Sequence, residues 1–283
     1  MNTKNISLIQ IHIAVLLFGL SGLFGKLVAL PAILIVLGRV FFASIFLLCV
    51  LVYLKIDIKL KQQNHYFCLA IMGVILAIHW VAFFESIQLS TVAIGLLTFS
   101  TFPVFVTFLE PYFFKENIKG SDVMVALITF LGVMLVIPEF QLKNNLTQGV
   151  LWGITSGFTY AILSMLNRKY VIEYSSLVIA FYEQLIATII LIPFFFLQRP
   201  MVHFSDIFLL ILLGIVFTGM SHSLFINGLK SIKTQTAGII SSLEPVYGVV
   251  FAVFLLREIP TLQEILGGII IIGTVLYSTI KSK

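Results

Sequence analysis

Apolar runs of about twenty residues recur from one end of the chain to the other, and nothing else in the sequence narrows the fold as much. Ten are legible, at roughly 7–29, 32–54, 66–88, 91–114, 121–138, 147–167, 175–197, 206–229, 234–256 and 262–280. Wound as a helix, a run of this length crosses a hydrocarbon core about 30 Å thick. Charged residues make up only 10% of the 283, against about 25% in soluble domains, so lipid must solvate most of the surface. The expected fold class is all-α, a polytopic membrane protein with ten transmembrane helices. The two cysteines, Cys49 and Cys68, fall in or beside these runs without metal spacing. They read as packing residues, and neither a metal nor a cofactor is expected.

An even number of spans puts both termini on one side. If that side is the cytoplasm, twelve basic residues lie inside: Lys4, Lys55, Lys59, Lys61, Lys115, Lys119, Arg168, Lys169, Lys230, Lys233, Lys281 and Lys283. Only Lys143, Arg199 and Arg257 lie outside. This bias predicts an inner-membrane protein with cytoplasmic N and C termini. The connections are short, leaving no room for a soluble catalytic or nucleic-acid-binding domain, so function is expected within the bilayer.

The two halves resemble each other. A shift of 142 positions places Ser100 on Ser242, Pro103 on Pro245, Val104 on Val246, and Lys115-Glu116 on Arg257-Glu258. A shift of 134 places Phe18-Gly19 on Trp152-Gly153. Five spans per half is an odd number, so the second half enters the membrane from the opposite side. The prediction is two inverted five-helix repeats, residues 1–144 and 145–283, with helix breaks at Pro103 and Pro245. Two Leu-Glu-Pro strings, at Leu109 and Leu243, are not copies of one another, because Glu110 falls opposite Ala252. Glu110 is expected to snorkel towards the interface beside Lys115, whereas Glu244 is central.

The string Ser242-Leu243-Glu244-Pro245-Val246, with Glu258 and Leu266-Gly267-Gly268, resembles the last two helices of the drug/metabolite transporter superfamily, specifically its ten-helix EamA-type carriers. Phe18-Gly19, Trp152-Gly153 and Arg39 also fit. The resemblance implies inverted repeats around a central cavity, and export or exchange of small metabolites. The chain departs from symmetry where Phe102-Pro103 stands opposite Glu244-Pro245.

An ionisable side chain inside a span is costly, and so is a functional candidate by default. Glu244 is placed either to bind a cation or exchange a proton, or to satisfy a carbonyl freed by Pro245. Arg39 and Glu85 are read as an outer vestibule in which Arg39 clamps a carboxylate, or as a helix-tying ion pair. Lys26 is expected to snorkel. Glu183 stands 144 positions from Arg39 and is placed to pair with it or to balance its charge. His79 and His222 are candidate proton relays or satisfied hydrogen bonders. Trp80 and Tyr247 are candidate cavity aromatics. Ser21-x-x-x-Gly25 and Gly153-x-x-x-Gly157 read as close helix contacts.

The functional expectation is a secondary transporter moving small metabolites, amino acids or related amphiphiles, by alternating access, with protons as a possible second partner. The lipid bilayer is its medium, nucleic acid is not a partner, and a monomer or homodimer suffices. The alternative is a membrane-embedded enzyme acting on lipid or isoprenoid substrates through His79, Glu85 and His222; a scaffold is disfavoured by the buried charges.

Overall fold

A computed structural model describes residues 3–114, 120–136 and 143–281. Lys115 and the side chain of Glu110 lie outside the described residues, so their expected interfacial arrangement does too. The described helices fall into ten segments, matching the ten apolar runs to within a few residues at their ends. They are α1 (Thr3–Leu27), α2 (Ala32–Tyr53), α3 (Gln63–Leu89), α4 (Val92–Phe99 and Phe102–Phe114) and α5 (Gly120–Val136). The second half holds α6 (Asn145–Tyr170), α7 (Ser176–Gln198), α8 (Phe204–Gly228), α9 (Thr234–Ser241 and Glu244–Leu256) and α10 (Leu262–Lys281). No strand occurs among the described residues.

Side-chain oxygens start three of the helices: Thr91 accepts from the Ile94 N–H, Asn144 from the Leu146 N–H, and Ser175 from the Leu177 N–H. Seven segments are long and apolar enough to cross a membrane as continuous or nearly continuous helices. In the other three the apolar stretches are shorter, Val123–Val136, Glu244–Leu256 and Leu262–Thr274. In α9 the reason is a break: Ser242 and Leu243 leave the helix, and Glu244-Pro245 restarts it. The same break interrupts α4 at Ser100-Thr101, after which Phe102-Pro103 restarts the helix. Proline tolerates the first turn of a helix but not its interior, so each proline sets where the second half-helix begins.

Packing follows the expected inversion. Exchanging the halves turns α1 into α6, α2 into α7, and so on, and the contacts survive the exchange. Helix α3 packs on α6 as α8 packs on α1; α4 packs on α6 as α9 packs on α1; α2 meets α7, and α5 meets α10. The polarity is that of a membrane protein. Phe196, Leu197, Phe254 and Ile269 face outward, while Arg39, His79, Glu183, Gln184, His222 and Glu244 are buried inside.

Hydrogen bonds tie the connections at each end. At one end Lys26 Nζ donates to the Ser90 carbonyl at 2.8 Å, and Glu258 accepts from the Val92 N–H at 2.9 Å. At the other, the Lys61 N–H donates to Tyr174 Oη at 3.0 Å. Lys26 is exposed, in keeping with snorkelling.

The crossing of α1 and α9 is glycine-built. A Cβ on Gly19 would lie 2.6 Å from the Glu244 carbonyl oxygen, and one on Gly248 would lie 2.8 Å from that of Gly19. The backbone that carries Glu244 therefore rests directly on α1. Gly157 on α6 makes the equivalent approach to α4, with its Cβ position 3.0 Å from the Phe99 carbonyl oxygen. Gly25 packs similarly on Ile87 of α3. Gly19→Val is expected to destabilise the protein by about 1–3 kcal/mol through overpacking, read as a lowered thermal midpoint in detergent. Gly273→Ala, where a Cβ meets nothing within 4 Å, should leave the midpoint where it is.

Candidate functional site

Four buried ionisable residues, Arg39, His79, His222 and Glu244, come together on one small cavity where the two repeats meet. Phe18 and Ser21 of α1, Arg39 of α2, His79, Trp80 and Phe83 of α3, Phe99 of α4, Tyr160 of α6, His222 of α8 and Glu244 of α9 line it. Space for the centre of a water molecule amounts to about 20 Å³, enough for one or two waters. Anything larger than a few waters fits only when the surrounding helices part.

Arg39 sits 1% exposed, held by neutral groups. Its Nε donates to Thr218 Oγ1 at 2.9 Å, and Nη2 donates to the Phe217 carbonyl at 3.5 Å. The guanidinium carbon lies 3.7 Å from the centroid of the Trp80 ring and 5.3 Å from that of Phe84, a stacking geometry that suits a planar cation. Nη1 is buried without a hydrogen-bond partner.

A π-helical turn, Ile215–Met220, explains the Thr218 contact. Its widened turn lets the Thr218 hydroxyl donate to the Leu213 carbonyl at 2.7 Å while its oxygen still accepts from Arg39. Such π turns are frequent at functional sites.

Glu244 opens the second half of α9, 3% exposed, with its carboxyl group on the cavity. Arg39 and Glu244 both line the cavity, yet no ion pair within 4 Å joins them. At the equivalent position in α4, Phe102 stacks on Phe99 at 5.3 Å and meets Tyr160 edge-on at 5.1 Å. One repeat thus supplies an aromatic wall where the other supplies a carboxylate.

His79 and His222 stand 143 positions apart in the sequence, at matching places on α3 and α8. Their partners differ. His79 Nδ1 lies 3.0 Å from the Ser156 carbonyl and 2.9 Å from the Ser156 hydroxyl. Nδ1 donates to the carbonyl in one tautomer and accepts from the hydroxyl in the other, so Ser156 serves this nitrogen either way. His222 Nε2 instead meets Glu183 Oε2 at 2.6 Å, both residues being at most 1% exposed. Trp80 links the two halves: Arg39 lies over its face, and the His222 ring meets its edge at 5.7 Å.

The structure gathers Arg39, His79, Trp80, His222 and Glu244 on the cavity and sets Glu183 directly behind His222. Glu85 and Tyr247 are not among the lining residues. Glu85 is half-buried on α3 and makes no ion pair with Arg39. The vestibule and the ion pair expected from those two residues are both replaced by the Trp80 and Thr218 contacts. Glu183 takes His222 rather than Arg39 as its partner. Tyr247 packs on α1, its Cβ 3.1 Å from a Cβ placed on Gly19. Thr218, Ser156 and Phe99 carry no sequence signal that singles them out; Phe18 and Ser21 stood out only as a repeat landmark and a close helix contact, and the helix packing brings them to the site.

Charged groups around a central cavity between two helical repeats fit a membrane transporter. The EamA-like transporter family matches the chain twice, over residues 5–137 and 147–280, and the chain belongs to that family. It is 26% identical over 290 residues to the uncharacterized transporter YxxF of Bacillus subtilis (strain 168), covering 99% of this chain and 91% of that one. It is 24% identical over 253 residues to the S-adenosylmethionine uptake transporter of Rickettsia conorii, covering 87% and 82%. A crystal structure superposes with a TM-score of 0.72 over 100% of this chain and 97% of the other at 16% identity, a likeness of fold.

Thr218→Val removes the acceptor for Arg39 Nε while keeping the shape. It is expected to destabilise the protein by about 1–3 kcal/mol, the penalty for an unpaired buried donor. Thr218→Ser should restore most of the loss, with thermal unfolding in detergent as the measurement.

Proposed function

We propose that the protein is a secondary carrier that exports or exchanges small amphoteric metabolites, amino acids or related amphiphiles, by alternating access across the cytoplasmic membrane. The observation that carries this reading is the pairing of Arg39 and Glu244 on one aromatic-lined cavity without an ion pair between them. A guanidinium with a spare donor suits a substrate carboxylate, and Glu244 with Trp80, Phe83 and Tyr160 suits a cationic or apolar end. S-adenosylmethionine, named for the Rickettsia relatives, has this chemistry: a carboxylate, an ammonium and a sulfonium on a compact body. A gradient of the substrate itself or of protons supplies the driving force, and a single chain holds both repeats that alternating access needs.

The test is counterflow of a labelled amino-acid and S-adenosylmethionine panel in proteoliposomes, with and without a pH gradient. Arg39→Gln and Glu244→Gln are each expected to weaken the apparent affinity of an amphoteric substrate about 10–100-fold, the loss of one charge-assisted contact. Failure of every candidate to exchange, together with turnover of an added lipid, would sink the carrier reading in favour of an enzyme.

The distribution of basic residues supports an orientation with both termini in the cytoplasm and Lys143 outside. With Cys49 and Cys68 replaced, a membrane-impermeant maleimide should label Lys143→Cys in intact cells, and Lys230→Cys only after permeabilisation. The reverse pattern would invert the orientation.

A further inference from the structure

The central cluster holds more negative than positive charge unless it also holds a proton. Its buried ionisable members are the guanidinium of Arg39, the carboxyls of Glu183 and Glu244, and the imidazoles of His79 and His222. With both carboxyls ionised and both imidazoles neutral, the cluster carries one net negative charge in a region with little water to screen it. One added proton makes it neutral.

Geometry says where that proton sits. His79 Nδ1 is taken up by the carbonyl and hydroxyl of Ser156, and aromatic rings crowd its ring: Phe99 at 5.4 Å and Tyr160 at 4.7 Å between centroids. Glu244 shares the cavity with Arg39, the one fixed cation of the cluster. Glu183 has no cation near it except through His222, 2.6 Å away, and its Oε1 is buried without a partner. An imidazolium at His222 supplies the missing positive charge against that carboxylate. His222 lines the cavity while Glu183 does not, so the proton has a way in and out.

We propose that the Glu183–His222 pair is a proton-binding site, loaded and emptied through the central cavity, which leaves Glu244 to the substrate. In the loaded state His222 carries both ring hydrogens and Glu183 is ionised; on unloading, one proton passes from the imidazole to water in the opened cavity. The titratable groups facing the pair are Arg39 from α2, His79 from α3, Tyr160 from α6 and Glu244 from α9, whereas α1 presents only Phe18 and Ser21. As the coupling site of the carrier, the pair rests on the function proposed above. As a proton site it needs no substrate to be tested.

Trp80 reports on it. The protein has two tryptophans, so Trp152→Phe leaves Trp80 alone, edge-on to His222, and an imidazolium there quenches indole fluorescence. In purified, ligand-free protein, Trp80 emission should fall in a single transition as the pH is lowered. Glu183→Gln and His222→Asn should each abolish the transition; Glu244→Gln and His79→Gln should keep it. A transition that survives both of the first pair, vanishes only with Glu244→Gln or His79→Gln, or never occurs would overturn the site. Should the Glu183 and His222 variants fail to fold, infrared difference spectra of the unmodified protein across the same titration decide. Imidazolium ring bands are expected, and a carboxylic acid band without them would overturn the assignment. Counterflow accelerated by a pH gradient in Glu183→Gln as strongly as in the parent would overturn the coupling role alone. Absence of any counterflow bears on the carrier reading and leaves the titration standing.

Discussion

A guanidinium cannot shed its charge inside a protein, and Arg39 is buried at the centre of a helical bundle with no carboxylate within 4 Å. That constraint shapes what surrounds it. Trp80 must lie flat beneath it, α8 must open into a π turn to bring Thr218 within reach, and Glu244 must share its cavity to balance the field. A helix-tying ion pair would have satisfied Arg39 more simply, but would have left nothing for a ligand. Neutral acceptors and an aromatic face hold the cation in place while its charge stays available.

The inverted repeat turns this constraint into an asymmetric site. Positions related by the repeat carry Arg39 and Glu183, His79 and His222, Phe102 and Glu244. Helix geometry is duplicated, so the two half-helix breaks and the glycine crossings match, while the chemistry at each matched position diverges. The cation side is built on α2 and α3, the imidazole–carboxylate side on α7 and α8, and Glu244 comes from the broken helix α9. A symmetric pair of identical sites would bind the same group on both sides. Divergence puts different groups on the two sides of one cavity, with His222 on its wall and Glu183 behind it.

Much of the architecture was legible in the amino-acid order. Hydropathy alone located all ten helical segments, because a membrane span must be apolar along its whole length. The prolines at 103 and 245 marked both breaks, since proline dictates where a helix can restart. Arg39, His79, Trp80, His222 and Glu244 stood out as polar or aromatic residues in apolar runs, and the structure gathers them on one cavity. Their partners did not stand out. Helical periodicity cannot show a π turn, so Thr218 read as an ordinary span residue. Pairing Arg39 with Glu85 followed charge and depth along the sequence, whereas rotation about the helix axes turns Trp80 towards Arg39. The match between His79 and His222 emerges only at an offset of 143, one more than that of the prolines.

The central claim is that Arg39 is kept free for a substrate carboxylate. The measurement that tests it most directly compares binding of an amino acid that the protein exchanges with binding of its carboxamide, in the parent protein and in Arg39→Gln. The account predicts that the parent prefers the acid and that Arg39→Gln binds both alike. An undiminished preference for the acid in Arg39→Gln, or none in the parent, would contradict it.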